Sequence, residues 1–301
     1  MSILDSLIVK AASKKDPVVA VASAADREVL EAINMALAKK IASFMLFDDE
    51  NRLKEMIKVQ YPQLLDDDRV SLYHVSDAID SATQAVKAVS SGRAHVLMKG
   101  NLPTAVILKA VLNGEYGLRT GKVLSHVAAF EVSGYDRILF VTDAAMNIAP
   151  DLEAKAQIIR NAVTTAHACG VTEPIVAPLA AVETVNPAMV PTTDAASLVV
   201  MNQRGQITGC IIDGPLALDN AVSEQAAAQK GITGETAGKA DILVVPNIEA
   251  GNILYKSLMY FAHAKVGAII QGAKAPIVLT SRADSAESKL YSLALAILSA
   301  K

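Results

Sequence analysis

The chain has 301 residues, enough for two domains rather than one core. Its 28 Lys and Arg set against 31 Asp and Glu leave a formal net charge of −3, and the basic residues are scattered, so nucleic acid is not an expected partner. Hydrophobic residues make up 52% while aromatics are 4% and Trp is absent, so the core must be built from Ala, Val, Ile and Leu, a palette suited to helices and parallel strands.

The opening stretch, MSILDSLIVKAASKKD, holds Asp5 inside its apolar run and offers no small-residue cleavage site, which argues against a secretory signal. No run reaches the ~18 apolar residues of a bilayer span, so no membrane partner is expected. Cys169 and Cys210 lie far apart without CxxC or Cys/His spacing, as two buried thiols in a reducing compartment would. Cytoplasmic localisation is the expectation.

Strand and helix then alternate. PVVAVAS leads into a helix from about Asp26 to Lys40, followed by the strand IASFMLF. VSLYHV pairs with a helix from Asp77 to Val89, and AHVLM with one from Pro103 to Leu112. A Gly-bearing stretch from Leu118 to Asp136 is the first candidate hinge. RILFV follows, then a helix opened by Pro150 and Asp151, then EPIVAPLA with a helix from Thr193 to Gln203. CIID, DILVVP and APIVLT complete the strands. This is the βαβ signature of a parallel α/β sheet.

The polar residues cluster where these strands end. AHVLM leads to Lys99, Gly100 and Asn101, RILFV to Thr142 and Asp143, CIID to Gly214, DILVVP to Asn247 and Glu249, and APIVLT to Ser281 and Arg282. In open parallel sheets ligands bind beyond the carboxyl ends of the strands, so these loops predict one shared site. GNILYKSLMYFAHA reads as a helix starting near Gly251, where free backbone N–H groups would take an anion, with Asn252 and Lys256 sharing a face at i, i+4 spacing. A solvated amphipathic helix reads equally well. Arg282 could take a phosphate in two parallel hydrogen bonds, or cap a helix at the surface.

LMKGNLPTAVILKAVLNGEYGLRTG, LSHVAAFEV, VTDAAMNIAPDLEAKAQIIRNAV, DGPLALDNAVS, ADILVVPNIEAGNILYKSL and APIVLTSRADSAESK together resemble the phosphate acyltransferases, from about residue 94 to the C-terminus. The resemblance implies a two-domain fold like that of isocitrate and isopropylmalate dehydrogenases. The domains would comprise residues 1–136 plus 268–301 and residues 137–267, with the active-site cleft between them. It implies acyl transfer between coenzyme A and phosphate: butyryl-CoA + phosphate = butyryl phosphate + CoA, with acetyl transfer the nearest alternative. Coenzyme A enters as a substrate, no cofactor is tightly bound, and the assembly is a homodimer or larger.

The resemblance further implies a catalytic Ser281 and Arg282, with Asp284 as base because Ser288 stands where acetyl-transferring relatives carry Asp; Glu287 is the second choice. The bland alternative for Asp284 is a helix N-cap. Substrate-binding roles are expected for Lys99, Gly100, Ser125, His126, Asp143, Asn147, Glu249, Gly251, Asn252, Tyr255 and Lys256. His126 replaces an Arg of those relatives, and could equally be an interior histidine; Asp143 and Asn147 could equally be a cap and a turn. Two readings of other classes stay open. One is a metal- and NAD-dependent hydroxyacid dehydrogenase using Asp143, Asp213 and Asp241, opposed by the lack of paired-Asp spacing and of GxGxxG, so that no metal is expected. The other is a non-catalytic sensor of CoA or acyl phosphate.

Overall fold

The computed structural model describes residues 2–279 and 284–300. It divides into two compact units, residues 1–122 with 267–301 and residues 123–266.

In unit 1 the strand order is β3-β2-β1-β4-β11-β10. Its strands are β1 (Val18–Ala22), β2 (Ser43–Asp48), β3 (Val70–His74), β4 (Val96–Lys99), β10 (Lys265–Gln271), which enters the unit at Gly267, and β11 (Ile277–Val278). The pairings β1 with β2, β1 with β4, β2 with β3 and β11 with β4 are parallel, whereas β10 and β11 are antiparallel. β1 and β4 are continuous apolar runs because both faces are covered, as parallel strands require. One helix group, α4 (Ala78–Ser90) and α5 (Thr104–Val111), includes α4 packed on β1. The other is α1 (Ile3–Ala12), α2 (Arg27–Ala38) and α11 (Ala286–Ser299), with α3 (Glu50–Gln60) against α2, β2 and β3. Of these helices, α1, α2, α4 and α11 open on side-chain caps, with Ser2, Asp26, Asp77 and Ser285 accepting from backbone N–H groups of the first turn.

Unit 2 has the order β5-β6-β9-β7-β8, with β5 (Ser125–Glu131), β6 (Leu139–Thr142), β7 (Ile175–Pro178), β8 (Ile211–Ile212) and β9 (Ile242–Val244). Here β5 runs antiparallel to β6 and the rest are parallel. The helix α6 (Leu152–Cys169), capped by Asp151 and closed by left-handed Gly170, packs on β5, β6 and β9. α7 (Val190–Gln203) lies against α6, the short α8 (Leu218–Val222) and α9 (Glu224–Gln229) pack on each other, and α10 (Ile248–Tyr260) lies against β6.

Three expectations change. The sheet is mixed rather than parallel, since β5 and β10 are each reached through a reversal of chain direction that an apolar run does not encode. The units divide at 122/123, ahead of Asp136, because β5 pairs with β6 and travels with unit 2. The helix expected from Thr193 begins at Val190, with Pro191 in its first turn, where a missing N–H costs nothing. Both cysteines are buried, and neither forms a disulfide.

Candidate functional site

In unit 1 the carboxyl end of β4 delivers Lys99 and Gly100. Lys99 is 5% exposed, and its ammonium donates to the Gly100 carbonyl at 3.2 Å. Gly100 is required sterically: a Cβ there would lie 2.1 Å from the Ser23 carbonyl oxygen and 2.7 Å from that of Ala22. Its N–H donates to Ala22 and the Asn101 N–H donates to Ser23, so the loops after β1 and β4 are knitted together. Ser281 and Arg282 lie outside the described residues.

Asp284 precedes α11, but the cap of that helix is Ser285, whose hydroxyl accepts from Ser288 N–H at 3.2 Å. The capping alternative for Asp284 is therefore set aside; its backbone carbonyl accepts instead from the ammonium of buried Lys289. Glu287 accepts from the Tyr291 hydroxyl at 3.0 Å, and the same hydroxyl lies 3.1 Å from Asp5, so α1 and α11 meet through it. Burial, joined by these two carboxylates, pushes the Tyr291 pKa upward.

In unit 2 the centre is the loop after β6. Asp143 is 3% exposed and accepts from the N–H groups of Ala145 and Met146 at 2.9 Å each and of Asn147 at 3.2 Å. The Asn147 amide donates to Asp143 at 2.5 Å and to the Leu124 carbonyl at 2.8 Å. A carboxylate so surrounded by donors holds the shape of its loop. Thr142 fixes the neighbouring strand, its hydroxyl donating to the His126 carbonyl at 2.7 Å.

Ser125 and His126, expected to act side by side, part company on β5 because consecutive side chains point to opposite faces. Ser125 is fully buried and accepts at 2.9 Å from Asn161 of α6, whose amide also donates to the Val123 carbonyl at 3.0 Å. His126, 7% exposed, faces α10 and meets the Tyr255 ring edge-on with centroids 5.7 Å apart. Tyr255 in turn packs on Phe130 at 5.2 Å, and the Lys256 ammonium lies 5.6 Å over the Tyr255 ring.

α10 corrects one expectation. The helix starts at Ile248, not near Gly251, because Asn247 caps it, accepting from Ala250 N–H at 2.9 Å. Gly251 N–H is already bonded to the Asn247 carbonyl at 3.1 Å, so the anion site expected on Gly251 and Asn252 does not form there. Gly251 serves close packing: a Cβ would stand 2.8 Å from the Asp143 carbonyl oxygen and 2.9 Å from Ala144 Cα. Glu249 sits exposed in the first turn, where a carboxylate suits the helix dipole. Asn252 and Lys256 are exposed one turn apart, as their spacing predicted.

The three carboxylates of the dehydrogenase reading are engaged separately. Asp143 holds its own loop, Asp213 accepts from the Thr236 hydroxyl, and Asp241 accepts from Ile175 N–H at 2.8 Å. Among the described residues no group of three His, Cys, Asp or Glu side chains is placed to hold a metal ion.

Residues 74–297 match the model of the phosphate acetyl/butaryl transferase family. The chain belongs to that family. It is 58% identical over 294 residues, 98% of the chain and 97% of the relative, to a Bacillus subtilis protein named "Probable phosphate butyryltransferase". It is 52% identical to the phosphate butyryltransferase of Clostridium beijerinckii, covering 93% of the chain and 92% of the relative. The crystal structure of a branched-chain phosphotransacylase from Enterococcus faecalis superposes with a TM-score of 0.83 at 38% identity, covering 94% of this chain and 98% of that one.

Sequence reasoning set Thr142 at the strand end beside Asp143 but passed over Asn161. The signal for Asn161 was present, an amide on the apolar face of IIRNAV.

Proposed function

We propose that this chain exchanges a short acyl group between coenzyme A and phosphate, butyryl-CoA + phosphate = butyryl phosphate + CoA. The observation that carries the reading is family membership across residues 74–297, a span holding every residue given a role above. The two close relatives named for butyryl transfer favour butyryl over acetyl.

In the direction of butyryl phosphate, a phosphate oxygen attacks the thioester carbonyl, negative charge develops on the carbonyl oxygen, and CoA leaves as thiolate. In reverse the thiol must lose its proton. With an ordinary thiol pKa near ~8.5, few thiols ionise unaided at neutral pH, so a base or a positive field is needed. The proposal gives Arg282 the phosphate through its forked donors, Ser281 a hydrogen bond to carbonyl or phosphate oxygen, and Asp284 the proton. Lys99 and Lys256 supply positive charge. Gly100 and Gly251 permit the close backbone approaches described above, and the Asp143–Asn147 loop, Ser125, His126 and Tyr255 support α10 and β5. Asn252 and Glu249 line the exposed side of α10. The fold is two-domain and dehydrogenase-like, and the enzyme works in the cytoplasm as a homo-oligomer.

The test is release of CoA thiol from butyryl-CoA, read with DTNB, with and without phosphate and with EDTA present. Phosphate-dependent, EDTA-insensitive release is expected. No release would leave the sensor reading, and NAD-linked absorbance change abolished by EDTA would restore the dehydrogenase.

A further inference from the structure

Lys289 interrupts the apolar side of α11. It is only 3% exposed, on a helix whose neighbouring residues Ala286, Leu290 and Leu293 are buried as well. It also lies near the start of the helix, where the dipole already presents positive charge, so burial and the dipole both oppose an ammonium there. Lys155, the comparably buried lysine of unit 2, is paired with Asp194 at 2.6 Å. Lys289 has no such carboxylate among the described residues; its ammonium donates to the main-chain carbonyl of Asp284.

That carbonyl belongs to the peptide unit joining Asp284 to Ser285, the residue that caps α11. The cap and the lysine therefore hold the entry to the helix at two successive points. Ser285 takes the Ser288 N–H at 3.2 Å, and Lys289 takes the peptide just ahead of it. Asp284 is fixed through its main chain while its carboxyl takes no part in capping. Glu287 is turned elsewhere, accepting from the Tyr291 hydroxyl at 3.0 Å, a hydroxyl that also lies 3.1 Å from Asp5. We propose that Lys289 is a positioning residue for the acyl transfer, holding Asp284 from the buried side of α11 so that its half-buried carboxyl is presented as the base. A long apolar stem ending in a compact donor suits this task, since it reaches a carbonyl from within an apolar layer. The inference rests on the acyl-transfer reading and on Asp284 as base.

The test compares wild-type protein, Lys289→Met, Lys289→Leu, Asp284→Asn and the double variant Lys289→Met/Asp284→Asn. It reads melting temperature, the pH dependence of kcat and KM for CoA with butyryl phosphate, and hydrogen–deuterium exchange of the first-turn amides of α11. Lys289→Met should melt near the wild-type temperature, because the cost of a buried ammonium leaves together with its hydrogen bond. Its kcat should fall about ten-fold or more near pH ~6.5, recover toward pH ~9 as the thiol ionises unaided, and leave KM nearly unchanged. First-turn amides should exchange faster while the rest of α11 keeps its protection, and Lys289→Leu should behave alike. The double variant should be no slower than Asp284→Asn, since both changes act through one group. Wild-type kcat and exchange in Lys289→Met would overturn the inference. So would a loss equal at every pH that multiplies fully with that of Asp284→Asn, because the lysine would then be structural only. Wild-type rates in Asp284→Asn would overturn it together with the base assignment while leaving the reaction itself standing. A wild-type protein that does not transfer the butyryl group would count against the function above, leaving exchange to decide whether Lys289 holds this peptide.

Discussion

Arg282 bears the heaviest chemical load in the proposal. Replacing it with Ala removes a charge-assisted contact that strengthens as phosphate and thioester exchange charge, so turnover should fall at least ~100-fold with the fold intact, and Arg282→Lys should rescue only partly because one ammonium does not reproduce the fork. Steady-state kinetics checks this, and near-wild-type rates would remove Arg282 from the site. Asp284 now separates cleanly from capping, since Ser285 holds that role. Asp284→Asn should keep its melting temperature yet lose rate most at low pH, recovering partly toward pH ~9 as the thiol ionises without help. A loss found instead in Glu287→Gln would move the base to Glu287. Cys210 gives a residue-scale prediction about stability. Burial, aided slightly by Glu173, pushes its thiol up from an ordinary 9.0 to about 11. The folded state therefore holds the proton more tightly than the unfolded chain. That advantage is complete below pH 9 and is lost as the pH rises to 11, a stretch that Cys210→Ala should flatten in urea-unfolding midpoints.

At the scale of elements, α6 and α7 are joined by an ion pair with Lys155 Nζ 2.6 Å from Asp194 and side chains only 7% and 16% exposed. Removing one partner strands a buried charge, so Lys155→Met or Asp194→Leu should each cost about 3–5 kcal/mol of unfolding free energy, whereas the double variant should recover most of the loss. Denaturant melts of the three variants decide it; additive losses would show that the pair is not coupled. α10 offers a second test. Gly251→Ala has no room beside Asp143 and Ala144, so the helix must shift, lowering both stability and activity. The start of α10 was legible in principle, for Asn247 is a capping residue followed by Glu249 in the first turn. It was misplaced because glycine also signals a helix boundary, and only the close approach to the Asp143 loop reveals why this glycine sits mid-helix.

Across the whole molecule, the alternation of apolar strands and amphipathic helices was readable because parallel strands covered on both faces, such as β1, β4 and β9, are unbroken apolar runs. Strand direction was not readable. Nothing in SHVAAFE distinguishes an antiparallel β5 from a parallel one, and this is why the unit boundary falls before β5 rather than after Asp136. The candidate site was legible as a set of strand-end residues and less so as geometry. Ser125 and His126 are neighbours in sequence, but the pleat of β5 sends one to Asn161 and the other to Tyr255. The central claim, butyryl exchange, is tested most directly by kcat/KM for acetyl-, propionyl-, butyryl- and isobutyryl-CoA with phosphate. Two added methylenes at about 0.8 kcal/mol each predict butyryl-CoA favoured over acetyl-CoA by roughly ten-fold or more. Acetyl-CoA as the better substrate would contradict the butyryl assignment.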